Sequence, residues 1–147
     1  MKISNRKAYY DFEIGEKFEA GIKLSGGEVK SVKEGHVSLV DSFVRIVGND
    51  ALLLNCHIHP YRFANNRDYD SKQTRKLLLH KKEIVSLQSK LKQSNQTIVP
   101  VSIYQKGDII KIELALARGK KQWDKKKALR EKSMQRDEEE EMRREKK

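Results

Sequence analysis

Residues 98–116 hold the pattern that most constrains this chain. Ile110, Ile112, Leu114 and Leu116 alternate with Lys111 and Glu113, so one face is apolar and the other charged. A period of two predicts a strand with one face buried and the other wet. The preceding run, Ile98 to Tyr104, is equally apolar, and Gln105-Lys106-Gly107-Asp108 between the two is a turn signal. The pair therefore reads as a β-hairpin. Pro100 has no N–H to give to a ladder, so its strand is expected at an edge or with a bulge. A hairpin cannot shield its apolar face alone, and the chain must supply further strands.

It does so upstream. Tyr10 to Leu24 mixes aromatic and aliphatic positions, with Gly15 and Gly21 as expected bends or bulges. Val37 to Val47 is rich in β-branched residues, Gly48-Asn49-Asp50 is a turn, and Ala51 to Ile58 returns, which predicts a second hairpin. Two helices interrupt these strands. Ser25-Gly26-Gly27-Glu28 has capping-box spacing, and Gly35 is placed to end the helix that follows. Lys82 to Gln93 puts Ile84, Leu87 and Leu91 on one stripe. The expected fold is mainly β: a small OB-like β-barrel with two or three short helices, a shape that often binds oligonucleotides.

Near Gly119 the composition changes. Residues 119–147 carry 12 Lys plus Arg and 8 Asp plus Glu, with Trp123, Ala128, Leu129, Met134 and Met142 as their apolar side chains. Such a segment buries too little surface to offset its ordering entropy. The reading is a barrel over 1–118 and a basic C-terminal tail over 119–147, disordered when free. Glu139–Arg143 and Glu140–Arg144 are i,i+4 pairs in the favourable order, so the tail is expected to turn helical when bound.

Charge then narrows the function. The whole chain has a formal charge of +11, and both parts are basic, which favours a polyanionic partner. No apolar run approaches the roughly 20 residues of a spanning helix, and Met1-Lys2-Ile3-Ser4-Asn5-Arg6-Lys7 lacks the apolar stretch of a secretory signal. A membrane partner is not expected. Cys56 is alone, has no internal disulfide partner and suits the reducing cytoplasm. Catalytic signals are weak, with no phosphate-binding P-loop, nucleophile elbow or zinc-protease helix. His57 and His59 point to one face of a strand but lack a third ligand at metal spacing, so neither a metal nor a cofactor is expected. Arg75-Lys76-Leu77-Leu78-Leu79-His80-Lys81-Lys82 sets an apolar patch beside a basic one. It reads either as a core-facing strand with solvated lysines or as an RNA contact. Gly119-Lys120-Lys121-Gln122-Trp123-Asp124-Lys125-Lys126-Lys127 sets a tryptophan among cations, the pairing used to stack and neutralise single-stranded RNA.

Several stretches, in order, resemble one family: Asn5-Arg6-Lys7-Ala8, Phe18-Glu19-Ala20-Gly21-Ile22, Gly27-Glu28-Val29-Lys30-Ser31, Arg75-Lys76-Leu77-Leu78-Leu79, and Gly119-Lys120-Lys121 with Asp124-Lys125. Together they are similar to the small protein B family, the tmRNA-binding (SsrA-binding) proteins of bacterial trans-translation. The resemblance implies a non-enzymatic protein whose barrel grips the tRNA-like domain of tmRNA. It implies a tail that enters the decoding centre and mRNA channel of the small ribosomal subunit on stalled ribosomes. Elongation factor Tu with alanyl-tmRNA is a further implied partner. Carried over by position, Asn5, Glu19, Leu78 and Lys111 match tmRNA contacts, and Arg75, Lys76 and His80 join them as expected RNA-binding residues. Gly119, Lys120, Lys121, Trp123, Asp124, Lys125 and Lys126 are the expected decoding-site residues. His80, Trp123 and Lys126 depart from the family's commoner residues, as does the loop Asp70-Ser71-Lys72-Gln73. Two alternatives are a generic ribosomal or single-stranded RNA-binding OB-fold protein and a small RNA-processing enzyme built on His57 or His59.

Overall fold

In the computed structural model the described residues are 1–120. In chain order they form β1 (Lys2–Ser4), α1 (Arg6–Asp11), β2 (Phe12–Ile22), α2 (Gly26–Lys33), β3 (Val37–Ser38), β4 (Phe43–Val47), β5 (Asp50–Leu54), β6 (His57–Ile58), β7 (Arg75–Leu78), α3 (Lys81–Gln93), β8 (Thr97–Lys106) and β9 (Ile109–Gly119). The architecture is mainly β with three helices. The hairpin expected at 98–116 is β8–β9, paired from Thr97 opposite Ala117 to Lys106 opposite Ile109. Gly107 takes the positive φ of 63° that its tight turn demands.

The sheet order is β1-β8-β4-β5-β7-β2-β9, and β9 also pairs with β8. The order therefore returns to itself. Six antiparallel strands close a ring, and β1 is added outside on β8. An OB barrel in the strict sense has five strands. Closure explains how Pro100 is tolerated. β8 pairs with β1, β4 and β9, so it is no edge, and the ladder instead shifts register between Pro100 and Ser102. In β2 a second shift falls between Ile14 and Lys17, at Gly15. Gly21 is not at a shift. It pairs with Lys111 on one side and Leu78 on the other.

Three elements depart from the sequence reading. Val37–Val47 is not one strand, because Asp41 takes a φ of 61° and turns the chain; β3 pairs with β6 in a separate two-stranded sheet while β4 joins the barrel. Asn55, at φ 63°, breaks the return strand in the same way, leaving β5 opposite β4 as the true hairpin. Asparagine and aspartate tolerate this region better than other side chains. The helix α1 was not anticipated. Asn5 begins it: its Oδ1 accepts the Ala8 N–H at 3.3 Å, while its Nδ2 donates to the carbonyls of Leu39 and Pro100 at 3.1 and 2.9 Å. Asn5 is thus a buried cap that ties α1 to β8.

The other helices begin and end as their sequences predict. In α2, Ser25 Oγ accepts from Glu28 N–H and a Glu28 carboxylate oxygen accepts from Ser25 N–H. At its end Gly35, at φ 83°, donates to Val32 and His36 donates to Ser31, a Schellman closure. Ile84 and Leu87 of α3 are buried, and Leu91 packs against the core. The main core gathers Ala20, Leu53, Leu77, Ile98, Ile103, Ile112 and Leu114 from the ring strands with Val32 of α2 and Ile58 of β6. From Leu114 to Ala117, β9 is buried on both faces. Ala115 and Ala117 pack with Ala8, Val99 and Val101 beneath α1, which is why small residues occupy the alternate positions there. Cys56 is fully buried, and burial pushes its thiol up to about 11.

One ion pair lies inside this structure. Arg75 and Glu28 meet at 2.7 Å, with side chains 2% and 5% exposed. The guanidinium also donates to the carbonyls of Cys56, Gln73 and Ser71 and to the Tyr69 hydroxyl. All five of its N–H donors are used. Burial alone would push the Glu28 carboxyl up, but hydrogen bonds from Ser25 N–H and Arg75 outweigh it and hold the carboxyl below its ordinary range. A carboxyl depressed in the folded state contributes stability above its unfolded pKa and loses it as pH falls through the folded value. Glu28→Gln strips the buried guanidinium of its counter-charge. At neutral pH it is expected to lower the unfolding free energy, measured in urea, by about 3–5 kcal/mol. Part of that deficit should vanish in acid, where wild type loses the same contribution; equal stability at neutral pH would refute the account.

Candidate RNA interface

Strand register builds the candidate site. On the outer face, Lys111 of β9, Gly21 of β2 and Leu78 of β7 fall in one row across three adjacent strands. Glu19 is two residues before Gly21 and Lys76 two before Leu78, so both share that face. Gly21 supplies the floor of the row. A Cβ there would lie 3.1 Å from Leu78 Cβ, so glycine lets Leu78 lean across β2. Leu78 is left 55% exposed, an apolar side chain held among polar ones. The result is a cleft of about 640 Å³ that also takes in Asn49, Asp50, His80, Glu83 and Ile84. His80 stands at the start of α3, where its N–H donates to the Glu83 carboxylate at 3.3 Å.

The electrostatics of the cleft are mixed. Glu19 accepts a short hydrogen bond from the Tyr104 hydroxyl and lies 3.6 Å from Lys106 Nζ. The Tyr104 bond, aided by Lys106 and Lys111, holds its carboxyl below the ordinary range against the opposing effect of burial. Burial and the facing carboxylate push the Tyr104 phenol up to about 12, so it stays a donor. Lys76 pairs with Asp50 at 3.3 Å. An ionised carboxylate accepts from base N–H groups, lysines meet phosphates, and an exposed Leu packs on a base or ribose.

Of the seven barrel residues expected at an RNA site, five meet here: Glu19, Lys76, Leu78, His80 and Lys111. Asn5 and Arg75 do not. Asn5 is spent capping α1, and Arg75 is buried with every donor satisfied, so neither presents a free group to RNA. Gly119 and Lys120 belong with the barrel rather than apart from it. Gly119 pairs with Phe12, Lys120 N–H donates to Asp11 O at 3.0 Å, and Lys120 Nζ donates to Tyr9 O at 3.0 Å. Lys121, Trp123, Asp124, Lys125 and Lys126 lie outside the described residues. Sequence reasoning missed Tyr104 and Gly21 as parts of the site, since both act through cross-strand neighbours. Among the described residues no cluster of His, Cys, Asp and Glu has metal-binding geometry, and no helix is long and apolar enough to cross a membrane.

The SmpB protein family model matches residues 2–144 of this sequence. The chain belongs to the SmpB family. Similar relatives include the SsrA-binding protein of Sulfurihydrogenibium sp. (strain YO3AOP1), 49% identical over 91% of this chain and 88% of the relative. That of Carboxydothermus hydrogenoformans is 51% identical over 82% of this chain and 81% of the relative. A chain in a solved structure described as "tmRNA-SmpB: a journey to the center of the bacterial ribosome" superposes with a TM-score of 0.69 at 41% identity, covering 88% of this chain and 94% of that one. Here the ionised state of Glu19 rests first on Tyr104. Tyr104→Phe is expected to raise the Glu19 carboxyl pKa toward the ordinary value while leaving the fold intact, as read by carboxyl-carbon NMR titration; an unmoved titration would place the control elsewhere.

Proposed function

We propose that this chain binds the tRNA-like domain of tmRNA through the cleft between β9, β2 and β7, and that it serves trans-translation on stalled ribosomes without catalysing a step. The observation that carries this reading is the row Lys111–Gly21–Leu78 with Glu19 beside it. It sets a cation, an apolar contact and an ionised hydrogen-bond acceptor on one rigid surface. Family membership supports the choice of RNA, since the relatives are SsrA-binding proteins and the matching solved chain is described with tmRNA and the bacterial ribosome. In this reading Lys111 and Lys76 neutralise phosphates, Leu78 packs on a base or ribose, and Glu19 selects N–H donors. His80 supplies a further polar contact at the rim. In this reading the protein acts on the ribosome and so in the cytoplasm. Residues 121–147, with Lys121, Trp123, Asp124, Lys125 and Lys126, act in the decoding centre and mRNA channel, and elongation factor Tu with alanyl-tmRNA shares the assembly. Asn5 and Arg75 act on the fold rather than on RNA.

Two experiments test the division of roles. For tmRNA binding across a salt series, Lys111→Ala is expected to weaken affinity and to reduce the log–log salt slope by roughly 1 unit or slightly less. Glu19→Ala is expected to weaken affinity with little change in slope, because it removes selection and not a phosphate contact. Wild-type affinity in both variants would put the tmRNA face elsewhere.

Truncation after Lys120 keeps β9 and its bonds to α1. It is expected to leave tmRNA affinity nearly intact while abolishing peptide tagging on stalled ribosomes. Trp123→Ala should give a milder tagging defect, since base–aromatic stacking is worth about 1–3 kcal/mol. Equal loss of binding and tagging on truncation would make residues 121–147 part of the tmRNA site.

A further inference from the structure

Several surface cations are already paired with carboxylates: Lys7 with Asp41, Lys76 with Asp50, Lys90 with Glu16, and Arg118 with Glu13. Arg62 and Lys30 are held differently. Arg62 stands 4.7 Å from the centre of the Phe63 ring and Lys30 5.5 Å from that of Tyr61, and among the described residues neither pairs with a carboxylate. The two rings meet edge to face at 5.5 Å. Phe63 is 74% exposed, more than any other large apolar side chain described. This loop is nonetheless anchored. The Tyr61 carbonyl accepts from Ala64 N–H at 3.0 Å and from Asn66 Nδ2 at 2.7 Å, and Ala64 packs so closely on α2 that a Cβ at Gly27 would lie 3.1 Å from it.

Beside the rings is a cavity of about 430 Å³ lined by Glu34, His36, His59, Pro60, Tyr61 and Arg62. It shares no residue with the tmRNA cleft. His36 and His59 face one another at 6.0 Å between ring centres, and Glu34 lies 3.5 Å from His36. An imidazole brings a donor or an acceptor at each nitrogen, and a carboxylate brings acceptors. The volume lies within the range of small-ligand sites. An exposed aromatic face, two cations without carboxylate partners and a polar recess side by side are the parts from which single-stranded RNA sites are built. An acidic peptide would use the cations but leaves the flat face of Phe63 and the polar recess without a role.

We propose that the Tyr61–Phe63 loop and the His36–His59 recess form a second RNA site that holds one unpaired nucleotide: its base stacks on Phe63, its phosphate meets Arg62 and Lys30, and its polar edge enters the recess. The nucleotide belongs either to tmRNA or to ribosomal RNA, since the chemistry is the same. The full-length protein is titrated with a short mixed-sequence single-stranded RNA, both in the wild-type background and in a Lys111→Ala background that weakens the cleft. Phe63→Ala is expected to reduce affinity roughly 5- to 150-fold. Phe63→Tyr should retain most of the binding, and Arg62→Ala should lower the salt slope by about 1 unit. Because Phe63 is exposed, thermal unfolding of Phe63→Ala should match wild type, which separates lost stacking from lost folding. Photo-crosslinking with mass-spectrometric mapping, carried out on the tmRNA complex and on ribosomes, assigns the source by which RNA attaches to the loop. Wild-type RNA affinity for Phe63→Ala and Arg62→Ala in both backgrounds would overturn the proposal, as would crosslinks from the loop to a ribosomal protein and to neither RNA.

Discussion

A guanidinium inside a small barrel is tolerated only if charge and donors are both matched, and the way Arg75 is matched organises much of this molecule. Its partners come from separate places: Glu28 from α2, the Cys56 carbonyl just after β5, and Tyr69, Ser71 and Gln73 from the long segment before β7. One side chain thereby fastens a helix and an irregular segment to a barrel strand. It also fixes the phase of β7. With Arg75 and Leu77 inward, alternation sends Lys76 and Leu78 outward. A slip of one residue would bury Lys76 and strand Glu28 without its counter-ion. Such a strand has one acceptable register, and that register puts Leu78 beside Gly21 and Lys111. The exposed site thus inherits its geometry from a buried pair that never touches its occupant.

The cleft is more finely balanced than the net charge of +11 suggests. Lys76 has Asp50 within 3.3 Å, Lys106 has Glu19 within 3.6 Å, and Glu19 is further held by Tyr104. A surface meant only to attract phosphate would have no use for the carboxylates of Glu19, Asp50 and Glu83. If the cleft takes RNA as proposed, their presence lowers nonspecific attraction and makes binding depend on which hydrogen-bond donors the RNA offers. Long-range attraction comes from the excess of lysine and arginine across the whole chain, while discrimination is concentrated in a few partly compensated groups.

Much of the barrel was legible because its signals are local. The alternation from Ile110 to Leu116, the Gly107 turn, the Ser25–Glu28 capping box and the Ile84–Leu87–Leu91 stripe each act within a few residues, and each element formed where they predict. What was missed depends on distant partners. Asn5 lies in a charged stretch that looks exposed, yet its side chain reaches carbonyls 34 and 95 residues away and becomes a helix cap. Arg75 sits beside lysines and looks like another RNA cation, yet its counter-ion is 47 residues earlier. Asp41 and Asn55 break strands through a backbone conformation that β-propensity does not register. In the site, Lys111 could be read as outward from alternation, whereas Leu78, between two other leucines, shows no alternation and was marked by the family resemblance and its basic, apolar surroundings. Tyr104, which faces Glu19 85 residues away, could not.

The register also sets a distance along β9. Lys111 and Gly119 lie on the same strand, eight residues apart, which at 3.2–3.4 Å per residue separates them by about 26 Å. At the far end β9 does not fray. Gly119 is still paired with Phe12, and Lys120 is bound to Asp11 and Tyr9, at the end of the helix that Asn5 caps. Gly119 and Lys120 are therefore held beside α1, at the other end of β9 from the Lys111–Gly21–Leu78 row. The buried cap at Asn5 and the buried pair at Arg75 then play matching parts. One fixes where the tail begins and the other fixes where the cleft lies, and the continuous strand β9 holds the two in a constant relation.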